Sequence, residues 1–446
     1  VMSERASDSS FYTGKICLAP MVRAGRTPLR VLSLDYGADL VYTEEIVDQK
    51  LLAATRKENH ILGTIDYCIE DDVVLRIASE REKERVVLQI GTNNGESAAQ
   101  VAAMVGRDVA AIDVNMGCPK PFSIQGGMGA ALLTQTDRVK EILSSLVSTS
   151  AVPVSCKIRV LDDSSSTLAL VHTIERTGVA AIGVHGRRRD ERPNDSNRED
   201  EIREIVRSIG IPVIANGGSA EMNTHEELLV FRERTGASSV MVARKALSNP
   251  SIFRKEGMFP MDTEIRNFLD KACEWDENYT MTKYVVQRIL GGEQEHDPRG
   301  RATVQAGSVL EICRVWNMET RYEECRKLRQ SRRGDRVEKD ENTGLEYVDV
   351  TFPLKRLKTA QSGANTPKTA LHRLCEEKAT EKPIYECRLR ESDRRYEAEV
   401  RVFQRRFLSR IGQTNKKMAE QVAALAALIA LNERSRLDGE WEELCE

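Results

Sequence analysis

Eight short apolar runs in the first 250 residues constrain this chain more than any other feature. They read "KICLAPMV", "LVYTEE", "RVVLQIG", "AAIDVNMG", "VPVSCKIRV", "AAIGVHG", "IPVIANGG" and "SSVMVARKAL". Most are joined by polar segments long enough for a helix, such as "NGESAAQVAAMVGRDV" and "TDRVKEILSSLVST". Runs rich in Val and Ile, apolar on both faces, indicate strands buried in a parallel sheet. Strands alternating with helical patterns indicate βαβ units. Eight such units in about 240 residues match a (β/α)8 TIM barrel in size and number. An open doubly wound sheet competes, but it usually has fewer strands. This chain also lacks a G-x-G-x-x-G after its first run.

A barrel of this kind places its chemistry at the C-terminal ends of its strands. Those ends carry Pro20, Met21, Glu44, Glu45, Gln89, Asn115, Cys118, Lys157, Arg159, His185, Arg187, Asn216, Gly217, Gly218, Ala243 and Arg244. A purely structural barrel needs few polar groups there. "NGG" after the seventh run and "VAR" at the eighth occupy the usual phosphate position. Glycines let backbone N–H groups approach an anion, and Arg244 adds charge. Taken singly, NGG could merely turn the chain, Lys157 could pair with Glu44 or Asp113, and His185 and Gln89 could be satisfied core residues. Their recurrence at corresponding strand ends favours a ring system with several hydrogen-bonding edges, such as a flavin.

Cys118 lies in "AAIDVNMGCPKP", where an apolar run breaks at Gly117 and Pro119. It should sit just past a strand end. Its thiol could be a nucleophile, a metal ligand, a proton donor or inert. The ten cysteines are scattered, with no C-x-x-C pair. That disfavours both a disulfide framework and a thiolate zinc site, so no metal is expected. It also suggests a reducing compartment, the cytoplasm or alternatively the nucleus. No apolar run reaches the roughly 18 residues that span a bilayer. The polar start "VMSERASDSSF" does not read as a secretory leader.

Together "LAPMVR", "DVNMGCPK", "GGMGAALL", "CKIR", "VHGR", "VIANGG" and "VMVARKAL" resemble the tRNA-dihydrouridine synthases over residues 15–335. Further on, "TPKTALHRLCEEKATEKPIYE" and "NKKMAEQVAALAAL" resemble a double-stranded RNA-binding domain. A barrel with that appendage is similar to the eukaryotic dihydrouridine synthase 2 subfamily. The resemblance implies bound FMN, reduced by NADPH with NADH as the alternative, and reduction of uridine 20 of tRNA. It makes Cys118 the proton donor to C5 of the uracil. A thiol of ordinary pKa is mostly protonated at neutral pH and can serve as an acid. The resemblance also implies that Pro20, Met21 and Val22 lie against the flavin and that Gln89, Lys157 and His185 contact its ring. Asn216, Gly217, Gly218, Ala243 and Arg244 would hold its phosphate, and Asn115 would bind the uracil. Glu45, Arg159 and Arg187 are assigned to the substrate side.

The expected domains are an FMN-binding barrel over 1–250, a helical tRNA-binding domain over 251–335, a polar linker over 336–365 and an α+β double-stranded RNA-binding domain over 366–432. Residues 366–432 hold 14 Lys/Arg against 9 Asp/Glu, although the whole chain has net charge -3. Basic charge gathered on one segment suits a phosphate backbone. The domain lacks the usual Gly-Pro-x-His loop and carries "CRLRESDRRYE" in its place, which questions minor-groove insertion there. Lys355, Arg356 and Lys358 could extend its basic surface, and Lys416 and Lys417 should open its last helix. The competing readings are a flavin barrel acting on free pyrimidines and a non-catalytic RNA adaptor with a degenerate barrel. The RNA-binding appendage disfavours the first, and the intact strand-end set disfavours the second.

Overall fold

All eight apolar runs become strands of one closed sheet. The computed structural model describes residues 5–70, 72–192, 194–334, 337–352, 366–391, 393–433 and 436–437. Lys355, Arg356 and Lys358 lie outside them. The chain divides into two compact units, Val1–Glu323 and Glu324–Glu446.

The first unit contains β1 (Ile16–Leu18), β2 (Leu40–Tyr42), β3 (Ile46–Val47), β4 (Thr55–Asn59), β5 (Thr64–Ile69), β6 (Asp72–Ala78), β7 (Val86–Gly91), β8 (Ala111–Met116), β9 (Val154–Arg159), β10 (Ala181–His185), β11 (Val213–Asn216) and β12 (Ser239–Val242). Strands β1, β2 and β7 to β12 pair in parallel around a ring, which closes where Val41 and Tyr42 meet Val86 and Val87. Every residue of β7, β11 and β12 is buried, as strands covered on both faces require. Tyr12 and Tyr42, both fully buried, pack in one core cluster with Ala111, Ala181 and Ile214. Outer helices are capped by the polar residues preceding them: Asn94 accepts from Ser97 N, Asp163 from Ser166 N and Thr224 from Glu227 N.

Between β3 and β7 the repeating pattern read in the sequence is interrupted. There the chain folds β4, β5 and β6 into a separate antiparallel sheet. Its buried face is partly ionic. Asp66 and Arg76 face each other across β5 and β6 at 2.8 Å, and Thr64 donates to Asp66. Hydrophobic alternation is therefore weak there, although the strands pair regularly. A buried ion pair, Arg30 to Glu82 at 2.6 Å, anchors the helix Thr27–Asp35 beside this insert.

After the barrel come the helices Met261–Glu274, Tyr279–Leu290, Pro298–Gln305, Val309–Val315 and Glu319–Gly334. The helical reading of this stretch thus matches the elements found. The linker reading of 336–365 needs correction in part. β13 (Glu338–Lys339) and β14 (Leu345–Tyr347) form a hairpin within it. The second unit continues with the helix Pro367–Glu377, then β15 (Ile384–Leu389), β16 (Tyr396–Val402), β17 (Arg405–Leu408) and the helix Lys416–Ala430. β14 pairs in parallel with β17, so the hairpin extends the three-stranded sheet to five. Polarity alone hid this, because β13 is fully exposed and β14 buries only Leu345 and Glu346. Leu371, Leu374, Val400, Phe407, Val422 and Leu425 form a common core of helices and sheet.

Candidate active site

The polar strand-end residues converge because parallel strands end together. Cys118 lies two residues beyond β8, partly buried. Asn115 fixes it there. Its Oδ1 accepts from Gly117 N at 2.9 Å and from Cys118 N at 3.0 Å. Its Nδ2 donates to Gln89 Oε1 at 3.3 Å, and Gln89 Nε2 donates to Asp113 at 2.8 Å. Asp113 also accepts from Ser155 Oγ, which accepts from the Tyr12 hydroxyl. A continuous polar chain therefore runs from the barrel core to the thiol loop. Burial pushes the Asp113 carboxyl up to about 6, against the pull of Gln89, Ser155 and Lys157.

These hydrogen bonds engage two of the residues read from sequence. Gln89 has both ends of its amide engaged, by Asp113 and Asn115, and is 2 % exposed. Asn115 spends its oxygen on the backbone of the Cys118 turn, so one amide hydrogen remains for a ligand. The signal for this network was Asp113, a carboxylate inside an otherwise apolar run.

A second cluster is cationic. Lys157 and Arg159 leave β9, His185 ends β10, Arg187 follows it, and Arg244 opens the helix Arg244–Ser248. Burial, then Lys157, Arg159, Arg187 and Arg244, hold the His185 imidazole far below its usual range. It is neutral at working pH. Arg187 Nη1 lies 3.3 Å from His185 Nε2; since Arg only donates, Nε2 accepts and the proton sits on Nδ1. Burial and Arg159 push the Lys157 ammonium down to about 8. Arg159 is tied by Gly117 O at 2.9 Å and Arg188 O at 3.0 Å, and Arg187 by Asp195 O. Glu44, one of the partners considered for Lys157, instead binds Arg26 at 3.1 Å and the Arg23 N–H. Four cations around a neutral imidazole repel one another and favour an anion among them.

Beside them is the glycine turn. Asn216 ends β11 with its amide on Met241 O at 2.9 Å. Gly217 and Gly218 follow with φ of 115° and 70°, conformations that favour glycine. A Cβ on Gly217 would stand 2.1 Å from Asn197 Oδ1. Both polar atoms of the Asn197 amide are buried without a hydrogen bond among the described residues. Sequence reasoning missed Asn197, because nothing in the loop "RPNDSN" marks it out. Pro20, Met21 and Val22 lie just past β1, partly buried, with Met21 O accepting from Gly25 N. Ala243 lies between β12 and the Arg244 helix. Glu45 lies between β2 and β3, its carboxyl oxygens buried and without a well-formed hydrogen bond among the described residues.

In the second unit, Asn415 caps the last helix by accepting from Met418 N, so Lys416 and Lys417 form its first turn as expected. Most neighbouring arginines are paired: Arg405 with Glu346, Arg406 with Glu399, Arg410 with Asp349 and Arg401 with Glu386. In the loop that replaces Gly-Pro-x-His, Arg390 pairs with Asp393 and also donates to Arg410 O. Among the described residues Lys416 and Lys417 make no ion pair, which leaves them available to phosphate.

Residues 17–296 match the family model "Dihydrouridine synthase (Dus)", and residues 367–431 match "Double-stranded RNA binding motif". The chain is 35% identical over 358 residues to the NAD(P)+ tRNA-dihydrouridine(20) synthase of Schizosaccharomyces pombe, covering 78% of this chain and 73% of that protein. It is also 35% identical over 301 residues to the enzyme of the same name from Saccharomyces cerevisiae, covering 63% and 78%. A crystal structure of a tRNA-dihydrouridine(20) synthase dsRBD domain is 29% identical and covers 20% of this chain and 88% of that one, with TM-score 0.18. Fold and site thus define a (β/α)8-barrel oxidoreductase joined to a double-stranded RNA-binding module. The chain belongs to the dihydrouridine synthase family.

Proposed function

We propose that this protein reduces uridine to 5,6-dihydrouridine in tRNA, at position 20, using FMN and NADPH, with NADH as the alternative reductant. The reading rests on one observation above others: the Cys118 thiol is held by Asn115 at the mouth of the barrel, in the same site as the Lys157, Arg159, Arg187 and Arg244 cations.

The residues present fit FMN. Its phosphate needs N–H donors, positive charge and room for close approach. Gly217 and Gly218 supply the room, Arg244 the charge, and the orphaned Asn197 amide a polar group without another partner. Lys157 and the neutral His185 would offer a cation and an imidazole to the ring edge. When bound, the flavin would supply a hydride to C6 of the uracil.

The chain's own residues do the rest. A uridine within folded tRNA must leave its stack to enter the barrel mouth. Arg159 and Arg187 give that mouth positive charge, and the remaining Asn115 amide hydrogen can reach a uracil carbonyl. Cys118 donates its proton to C5, and the Asn115 hydrogen bond keeps the thiol loop in position while it does so. Lys416 and Lys417 would hold tRNA phosphates from the second unit. Scattered cysteines without a C-x-x-C pair suit a reducing compartment, and we place the enzyme in the cytoplasm.

The test is to incubate purified protein, NADPH and tRNA lacking dihydrouridine, and to map the modified base. Dihydrouridine at position 20 supports the reading. Its absence, or protein without a flavin absorption band, overturns it.

A further inference from the structure

Among the described residues no well-formed hydrogen bond reaches the Glu45 carboxyl. Both its oxygens are buried. Orphaned buried polar groups are uncommon and call for an explanation. Gly91, the last residue of β7, makes the space for it: a Cβ there would lie 2.6 Å from Glu45 Oε1. The groups facing the carboxyl are the Cys118 thiol, the Lys120 ammonium and the Asn115 amide. The Asn115 amide can donate a hydrogen bond but has no titratable proton to exchange. Lys120 is exposed, so solvent screens its charge. The partly buried thiol is thus the neighbour with which Glu45 can exchange a proton.

We propose that Glu45 is a proton relay to Cys118, passing its own proton to Sγ as Sγ protonates C5 of the uracil. This deepens the uridine-reductase reading and rests on it. The C5–H bond forms as the Cys118 S–H bond breaks, and that electron pair stays on sulfur. In the same step the Glu45 O–H bond breaks, a new S–H bond forms, and a carboxylate remains. After product leaves, the carboxylate takes a proton from solvent. The net consumption is one solvent proton, besides the hydride delivered to C6. The transfer runs downhill, since a carboxylic acid is a stronger acid than a thiol by about four pK units. Burial raises the Glu45 carboxyl, and the thiol, Lys120 and Asn115 offset this only in part. Water leaving the site on substrate binding acts in the same direction. Without the relay, a thiolate would be left in a partly buried site.

The experiment compares the parent holoenzyme with Glu45→Gln and Glu45→Asp. Enzyme reduced beforehand is mixed with unmodified tRNA, and flavin reoxidation is followed in a single turnover across a pH series. Glu45→Gln should slow reoxidation by about 10- to 100-fold, at or below the usual worth of a positioned acid. The parent rate should fall as pH rises through the Glu45 titration, and the variant should lose that limb. Formic acid in the buffer should partly restore Glu45→Gln, and Glu45→Asp should lie between the two. Without tRNA, alkylation of Cys118 by iodoacetamide should show an inflection from Glu45 in the parent and none in Glu45→Gln. A Glu45→Gln enzyme with the parent's rate and pH profile overturns the relay. Parent enzyme that makes no dihydrouridine overturns instead the reading beneath it. Should Glu45→Gln fail to hold flavin, the parent alone decides: reoxidation in H2O/D2O mixtures should curve, as two moving protons require, and a straight line overturns the proposal.

Discussion

The Cys118 N–H donates to Asn115 Oδ1 at 3.0 Å, so the position of the thiol depends on a side chain three residues earlier on β8. Asn115→Ala would leave the Gly117 and Cys118 N–H groups without this acceptor. The expected cost is about 1–3 kcal/mol of stability, with a fall in dihydrouridine formation larger than any change in FMN content. Thermal unfolding and modification assays on the same preparation check both.

Cys118→Ala separates the two halves of the reaction. NADPH should still reduce the flavin, because in the proposed reaction the thiol acts only on the uracil. Dihydrouridine formation should fall by about 10²–10⁴-fold, the worth of a positioned general acid. Near-parental turnover on unmodified tRNA would remove Cys118 from the chemistry.

The phosphate cradle predicts two unlike losses of FMN. Gly217→Ala forces a side chain into a left-handed residue and against Asn197 Oδ1, 2.1 Å from the ideal Cβ. It should lose flavin and also about 1–3 kcal/mol of stability through strain. Arg244→Ala should lose flavin alone, because burial and Arg187 already disfavour its charge. Equal unfolding temperatures for flavin-free parent and Arg244→Ala, with reduced flavin after dialysis, would bear this out.

If FMN binds as proposed, Lys157 should make its affinity depend on pH. In the free site its ammonium is pushed from 10.5 to about 8, so from this group alone stability rises as pH climbs between those values. A bound phosphate and ring would favour the charged form and raise that pKa. FMN binding then takes up a proton above about pH 8, and affinity should weaken there by at most about tenfold per pH unit. Titration of flavin-free protein at several pH values measures it, and Lys157→Met should abolish the slope.

The RNA-binding unit makes a salt-dependence prediction. Lys416 and Lys417 start a helix capped by Asn415, whose N-terminal end attracts phosphate. Replacing both by Ala should weaken tRNA binding. The slope of log affinity against log salt should fall by about 0.9 for each duplex phosphate that these lysines neutralise. Flavin content should not change. Superimposable salt curves for parent and variant would remove this helix end from the interface.

Much of this protein is legible in its sequence, because burial in a parallel barrel leaves a local trace. A strand covered on both faces must be apolar, so all eight runs announced β1, β2 and β7 to β12. Parallel strands end on one side, so the residues closing each run had to gather, and Cys118, Lys157, His185 and Gly217 did. The tail helix was equally local, since an alanine-rich run opened by Lys416 and Lys417 reads as a helix by composition. Tertiary structure decided whatever depends on partners distant in sequence. Asn197 came to lie against Gly217 only because its loop folds back onto that turn. The pairing of Asp66 with Arg76 made an antiparallel insert out of residues with no apolar alternation. The ion pairs of Arg405, Arg406 and Arg410 determined which cations stay free for RNA, which a net charge cannot tell. Glu45 reached the Cys118 thiol because Gly91, 46 residues later in the chain, has no side chain to block it. Periodicity records whether a residue is buried, but the identity of its neighbours is set by the closure of the whole barrel.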